Sequence, residues 1–247
     1  MSARTASELF VFDTETTGVD ATTDRIVTAY AAVIGPDGHV RREVNLVVDP
    51  GVEIPAGAAA VHGYTNERAR AEANASPASA VALLINLITT ECAIGGRPLV
   101  VHNASYDLTL LEAERRRHAP AVPPLRFAPP THPISAQNQA VRVIDTLVLD
   151  KKIDPYRRGK RTLTVMAEHY SVPLSAEDAH NASSDAVAAG RIAQRLLRHK
   201  AVAALSLDTL HARQVGWRER QCESLQAYFR KTDPTAVVRP EWPLLPL

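Results

Sequence analysis

The sequence predicts an α/β domain with a mixed five-stranded sheet flanked by helices. Three observations lead there. Apolar, β-rich segments follow one another through residues 8–48. Helical patterns then alternate with short apolar runs at 99–101 and 141–144. Turn residues separate these segments wherever the period changes. The 247 residues, 45% hydrophobic, are enough to bury a sizeable core.

Residues 8–15 read as the first strand and Arg25 to Ile34 as the second. Gly35-Pro36-Asp37-Gly38 is a turn, because Pro fixes φ and Gly supplies positive φ. His39 to Val48 returns as an antiparallel third strand. Pro55 to Val61 is a short turn ending at His62-Gly63. Ser76-Pro77 is an N-cap and first-turn pair for a helix whose Val81, Leu84, Leu87 and Ile88 share a face. Leu99-Val100-Val101 is a buried strand that delivers His102-Asn103 to the start of the helix carrying Asp107, Leu110 and Leu111. Val141 to Ile144 is the fifth strand, ending at Asp145-Thr146, where Asp145 suits a helix N-cap. Arg161 to Tyr170 and Asp185 to His199 have helical patterns, the latter with Ser183 or Ser184 as its cap.

The prolines at 120, 123, 124, 129, 130 and 133 require a surface loop. Residues 151–161 read as a basic loop. From about residue 200 a separate element begins, a helix capped by Ser206 and carrying Leu207, Leu210, Trp217, Leu225 and Phe229, then a Pro-rich apolar tail lying along the body. The division expected is 1–200 for the main domain and 201–247 for a helical C-terminal extension.

Composition excludes several classes. Net charge is +1, so nucleic-acid affinity must come from a local patch or from metal. Cys92 and Cys222 lack metal spacing and fit a reducing, cytoplasmic setting. The N-terminus lacks an apolar signal core, and no stretch is expected to approach the apolar length of a membrane span. No GxGxxG follows the first strand, and Gly159-Lys160 leads into Arg161 without a phosphate loop.

The chemistry lies in carboxylates and histidines. In the run Leu9 to Gly18, LFVFDTETTG, Asp13 and Glu15 lie two apart on a strand and project together. Two adjacent anions repel, and a hard divalent cation removes that cost. The tetrapeptide His-Asn-Ala-Ser occurs twice, as HNASYD from His102 to Asp107 and HNASSD from His180 to Asp185, each before a helix. Four carboxylates, Asp13, Glu15, Asp107 and Asp185, are thereby available to hold two cations about 4 Å apart for phosphoryl displacement. A histidine suits the proton transfer, since its pKa lies near neutrality. Geometry alone does not choose between His102 and His180. His102 is anchored at a strand end, whereas His180 follows the irregular stretch SVPLSAEDA. Lys151, Lys152, Arg157, Arg158, Lys160 and Arg161 surround Tyr156, a pattern that fits single-strand binding.

FDTETTG at 12–18, HNASYD at 102–107 and HNASSD at 180–185, with VHGYT at 61–65 and IDT at 144–146 between them, resemble the DEDDh branch of the DnaQ-like 3′–5′ exonucleases. Relatives in that family are the epsilon proofreading subunit of DNA polymerase III and RNase T. The resemblance covers about residues 8–199 and implies an RNase H-like fold. It implies stepwise release of nucleoside 5′-monophosphates with two Mg²⁺ or Mn²⁺ ions held by Asp13, Glu15, Asp107 and Asp185, and His180 as general base. It further implies that Thr14, Thr16 and Thr17 line the 3′-terminal nucleotide pocket, with His62 and Asn103 as secondary site residues. Tyr106 stands where the family usually has Phe. Arg157, Arg158 and Lys160 are the basic-loop residues expected to meet phosphate. Single-stranded DNA 3′ ends are the expected partner ahead of RNA. Association with a polymerase, or with a second copy, is expected to run through 201–247. An inactive nucleic-acid-binding module is disfavoured by the intact site, and an aspartyl phosphatase by Glu15, where a second Asp is wanted.

Overall fold

A computed structural model describes residues 8–127, 140–175 and 180–247. The expected Pro129, Pro130 and Pro133 of the surface loop, and residues 176–179 at the end of the stretch before His180, lie outside these residues. Five strands form one sheet in the order β3-β2-β1-β4-β5: β1 Leu9–Thr16, β2 Ile26–Ile34, β3 Val40–Val47, β4 Leu99–Val101 and β5 Val143–Asp145. β1, β2 and β3 pair antiparallel, while β1–β4 and β4–β5 pair parallel. The expected mixed sheet is present.

β2 is buried along its whole length, as its unbroken run IVTAYAAVI requires between β1 and β3. β3 is the exposed edge, and Arg41, Arg42 and Glu43 protect it from pairing with another chain. The helices are α1 Ala56–His62, α2 Asn66–Glu72, α3 Pro77–Ile88, α4 Ala104–His118, α5 Thr146–Ile153, α6 Leu163–His169, α7 Ala182–Leu196 and α8 Leu207–Phe229. Ser76 caps α3, with Pro77 following, and Ser206 caps α8, both as the sequence predicts. The segment expected as a turn at 55–61 closes instead into α1, because Gly63 at φ 78° ends it in a left-handed C-cap. Thr65 caps α2, which sequence pattern did not suggest. Lys151 to Ile153 are the last turn of α5, so the basic loop begins only at Asp154.

Pro77–Ile94, α3 and the π-helical turn after it, is long and apolar enough to cross a membrane by length and composition, against expectation. Its Ala80, Val81, Leu84, Ile85 and Ile88 belong to the domain core. Its one acid, Glu91, is paired with Arg42 and Arg97.

Side-chain alternation on β1 divides the chemistry between two faces. Val11, Asp13 and Glu15 face α7, and Thr14 and Thr16 face α4. The approach of α7 to the sheet depends on Gly190, where a Cβ would lie 2.7 Å from Val11 Cγ1 and from Ile34 Cδ1.

The C-terminal helix covers the other sheet edge. Val143 N–H donates to His211 Nδ1 at 3.0 Å, and Asp145 N–H to Gln214 Oε1 at 2.8 Å. Gln214 Nε2 donates back to the Val143 carbonyl at 2.8 Å. Both side chains are buried. α8 thus satisfies backbone groups that β5 would otherwise leave unpaired. Trp217 is buried at its core-facing side, and the tail seats Trp242 beside His211.

Candidate active site

β1, β4 and β5 run parallel, so their carboxyl ends share one edge of the sheet. In an α/β sheet such an edge is where ligands are bound. β1 brings Asp13 and Glu15, β4 leads into His102 and Asn103, and β5 ends at Asp145.

Asp13, Glu15 and Asp185 each offer a carboxylate oxygen, and the three lie within 4.8 Å of one another. Asp185 comes from the first turn of α7, whose cap is Asn181 rather than Ser183 or Ser184; Asn181 Oδ1 accepts from Ser183 N–H at 3.0 Å. Asp107 stands apart from this trio. It arrives from α4 on the opposite face of β1, is 4% exposed, and accepts a 2.7 Å hydrogen bond from the Thr14 hydroxyl. Its charge still reaches the trio and pushes the Asp13 and Glu15 pKa values upward.

The electrostatics are those of anions crowded together. Burial, then the charges of Asp107, Asp185 and Glu15, hold the Asp13 carboxyl well above the usual carboxylate range. Burial, with Asp185 and Asp107, pushes Glu15 up to about 8. Burial pushes Asp107 up to about 7, and Asp185 up to about 6. Asp185 Oδ1 is buried with no hydrogen-bond partner. An orphaned buried oxygen beside two further carboxylates is a donor set short of a cation, and hard oxygen ligands fit Mg²⁺ or Mn²⁺.

His180 is exposed at the start of α7. It has φ 66°, and its N–H donates to Asp185 Oδ2 at 3.3 Å. His102 is fixed: its Nδ1 meets the Thr146 hydroxyl at 2.9 Å, and burial lowers its pKa. The twin motifs therefore differ in backbone, since Asn103 takes the left-handed turn in one (φ 65°) and His180 in the other.

The three threonines expected to line the nucleotide pocket are buried, and their hydroxyls serve the chain itself. Thr14 donates to Asp107, Thr16 to the Gly18 carbonyl at 2.6 Å and Thr17 to Asp24 at 2.8 Å. The Tyr106 hydroxyl joins them, donating to the Gly18 carbonyl at 2.5 Å and meeting Thr16 Oγ1 at 2.7 Å. A phenylalanine there would make neither bond. His62 is occupied at both ring nitrogens: Tyr64 N–H donates to Nδ1, and Nε2 faces the Thr16 carbonyl at 3.2 Å. Burial lowers its pKa and favours the neutral ring.

In the basic segment, Arg157 is not free for substrate. Arg157 and Arg161 both pair with the buried carboxylate of Asp150, which also accepts from the Tyr170 hydroxyl at 2.6 Å. Arg158 and Lys160 are exposed. Asp150 went unrecognised because its partners lie seven and eleven residues on, across a loop with no period. Asp145 was read as a cap and proves to be more. It accepts from Leu147 and Val148 at the start of α5, from Asn103 and Ala104 at the start of α4, and from Trp242 Nε1.

A family model described as exonuclease, of RNase T type, matches residues 10–193. The chain belongs to this exonuclease family. Its DEDDh-type, DnaQ-like character is the one the three motifs imply, and it makes the protein a nuclease. A DNA polymerase III subunit epsilon-like protein from Rhodobacter capsulatus is 32% identical over 189 residues, which are 76% of this chain and 23% of that protein. A PolC-type DNA polymerase III from Lacticaseibacillus paracasei is 28% identical over 196 residues, 79% of this chain and 12% of that protein. The chain therefore spans less than a quarter of the length of these relatives. An exonuclease I structure superposes with a TM-score of 0.62 at 17% identity, covering 89% of this chain and 46% of that one. Exonuclease X in complex with 5′-overhanging duplex DNA superposes with a TM-score of 0.53 at 17% identity, covering 83% of this chain and 99% of that one. These likenesses identify the RNase H-like exonuclease fold. The family match ends before α8, so the exonuclease sheet is finished on one edge by a helix outside the matched region.

Proposed function

We propose that this exonuclease is a metal-dependent 3′–5′ enzyme that removes nucleoside 5′-monophosphates one at a time from single-stranded DNA. The observation that carries the reading is the trio Asp13, Glu15 and Asp185, with the orphaned Asp185 Oδ1 and with Asp107 close enough to feel their charge. Asp13, Glu15, Asp185 and Asp107 would hold two Mg²⁺ or Mn²⁺ ions. When bound, the cations supply Lewis-acid stabilisation of the charge that builds on the phosphate and the departing 3′ oxygen.

The chain's own groups do the rest. His180, exposed beside Asp185, takes the proton of the attacking water at its imidazole. The water oxygen bonds to phosphorus as the P–O3′ bond breaks, so the product keeps its 5′-phosphate. The segment Thr14 to Thr17, braced by Asp107, Tyr106 and Asp24, shapes the 3′-terminal pocket with its backbone. Asn103, held open by its left-handed turn, faces the same edge; His62 supports the segment from below. Arg158 and Lys160 meet phosphates, and Arg157 contributes only the charge that Asp150 leaves.

Exonuclease I, which shares this fold, is seen in complex with dT13 and with dA16 oligonucleotides, which favours single-stranded DNA here. The RNase T description of the family favours a second reading, RNA 3′ trimming. Relatives named as polymerase III proteins make a polymerase the partner class to test. The reduced, buried cysteines suit a cytoplasmic setting.

The test uses 5′-labelled single-stranded DNA and RNA of one sequence, with Mg²⁺, Mn²⁺ or EDTA. A ladder shortening from the 3′ end of DNA, abolished by EDTA and by Asp13→Ala, is expected. Absence of metal-dependent release overturns the reading, and faster loss from RNA replaces DNA by RNA. His180→Ala is expected to slow release by about 10²–10⁴-fold, the usual worth of a general base, while metal binding followed by calorimetry survives.

A further inference from the structure

Two clefts meet beside the active site. The first, 630 Å³, is lined by His102 and Asn103 at the end of β4 and by Lys160 and Arg161 from the loop after α5. The second, 740 Å³, lies between α5 and α8 and is lined by Lys152, Trp217, Arg220 and Tyr228 among others. Lys151 and Arg161 line both, so the two clefts adjoin along these side chains and together make a basic groove. It starts at the carboxyl edge of the sheet, passes β5 and ends on α8.

The groove is one-signed. No aspartate or glutamate is among its lining residues, although the chain as a whole is nearly neutral. Of the carboxylates beneath it, Asp150 is shared by two arginines and cannot neutralise both, and Asp145 is engaged by backbone N–H groups and Trp242. Lys151, Lys152, Lys160 and Arg220 have no carboxylate within salt-bridge distance among the described residues. Burial and the charges of Arg218 and Arg161 lower the Lys151 pKa, so its ammonium sits among cations it repels. Such a cleft concentrates a polyanion.

Aromatic rings accompany the charges. Lys152 lies 5.6 Å over the Trp217 ring. Tyr228 is 64% exposed at the far end, and Tyr156 is 92% exposed on the adjacent loop. Cations that track a phosphate backbone, with the exposed rings of Tyr156 and Tyr228 beside them, fit a single strand better than an acidic peptide, which offers nothing to stack.

We propose that the groove carries the single strand upstream of the scissile bond, with Lys152, Arg220 and Tyr228 as its distal contacts. The strand would run from the 3′ end in the carboxylate site, past Asn103 and Lys160, onto α8. This rests on the proposed function for its direction, and it gives the helix outside the family match a substrate-binding role.

Binding of 5′-fluorescent oligothymidylates in EDTA tests it without cleavage. Strands of about 4 and about 16 nucleotides span the usual single-strand site sizes. The wild type is expected to bind the longer at least tenfold more tightly. Lys152→Glu with Arg220→Glu, both exposed residues, is expected to remove that advantage. It is also expected to reduce the slope of log affinity against log salt by about 1.4, from about 0.7 per lost phosphate contact. Lys152→Gln with Arg220→Gln should weaken the longer strand in the same direction without reversing charge, which covers the case in which the first variant misfolds. An unchanged length dependence and salt slope in a folded variant overturns the proposal. So does polyglutamate binding as tightly as an oligonucleotide of equal charge. Length-dependent binding that the variants abolish supports the groove even if the wild type releases no mononucleotide, a result that overturns only the catalytic reading.

Discussion

Asp13 and Glu15 oppose folding when no cation is bound. Their folded pKa values lie above those of the unfolded chain. A raised carboxylate favours the fold while it is protonated, and that contribution is lost as pH rises toward the folded value. For Glu15 the window runs from its ordinary 4.5 to about 8. Metal-free protein is therefore expected to melt at progressively lower temperature from about pH 5 to pH 8, and added Mg²⁺ to reverse the trend. Asp13→Asn should raise the melting temperature in EDTA at pH 8 and abolish the metal response. A flat profile in EDTA would show that the carboxylates do not crowd one another in solution. Tyr106→Phe belongs to the same scale. It leaves the Gly18 carbonyl without the tyrosine hydroxyl, and should cost about 1 kcal/mol. On the proposal that the braced segment shapes the nucleotide pocket, KM should rise more than metal affinity falls.

The junction between α8 and β5 carries a larger expectation. Gln214→Ala leaves Asp145 N–H and the Val143 carbonyl unpaired in the interior, so chemical denaturation should show a loss of about 2–6 kcal/mol, from about 1–3 for each orphaned group. A loss under 1 kcal/mol would mean that water replaces the amide. This junction also marks where sequence reading stopped. Strands β1 to β5 were legible because short apolar runs bounded by turn residues are local signals. α3 and α8 were legible because Ser caps and apolar faces agree. The gathering of Asp13, Glu15 and Asp185 was legible through the motifs that carry them. Thr14, Thr16, Thr17, His62 and Arg157 are expected beside substrate, and the structure shows their hydroxyls, ring nitrogens and guanidinium bonded within the chain. A residue type announces what it can bind, and only the partner's position decides whether that capacity is already spent. Asp145 gathers donors from α4, α5 and the tail, segments up to 97 residues apart, which no local pattern contains.

At the scale of the whole molecule, the site is divided between two layers and the sheet between them. α7 supplies Asp185 from one face, α4 supplies Asp107 from the other, and β1 holds the remaining pair. α8 and the tail tie β5, α5 and α4 together through Gln214 and Asp145. The basic clefts lie beside these pieces, lined by residues from the end of β4, from α5 and the loop after it, and from α8.

Gly190 shows what that division demands. Asp185 lies five positions before it on α7, about 7.5 Å along the axis. A methyl group at Gly190 would meet Val11 Cγ1 and Ile34 Cδ1 well inside contact distance, so those side chains or the helix must give way. The thickness of one helix–sheet interface is thus the calliper that sets the gap between Asp185 and the β1 carboxylates. Gly190→Ala should weaken metal binding by calorimetry as well as lower the melting temperature, although no metal ligand is touched. Adding Ile34→Val, which removes the Cδ1 the methyl would strike, should close the calliper again and restore part of both. Recovery of stability without recovery of metal affinity would show that the gap is set elsewhere.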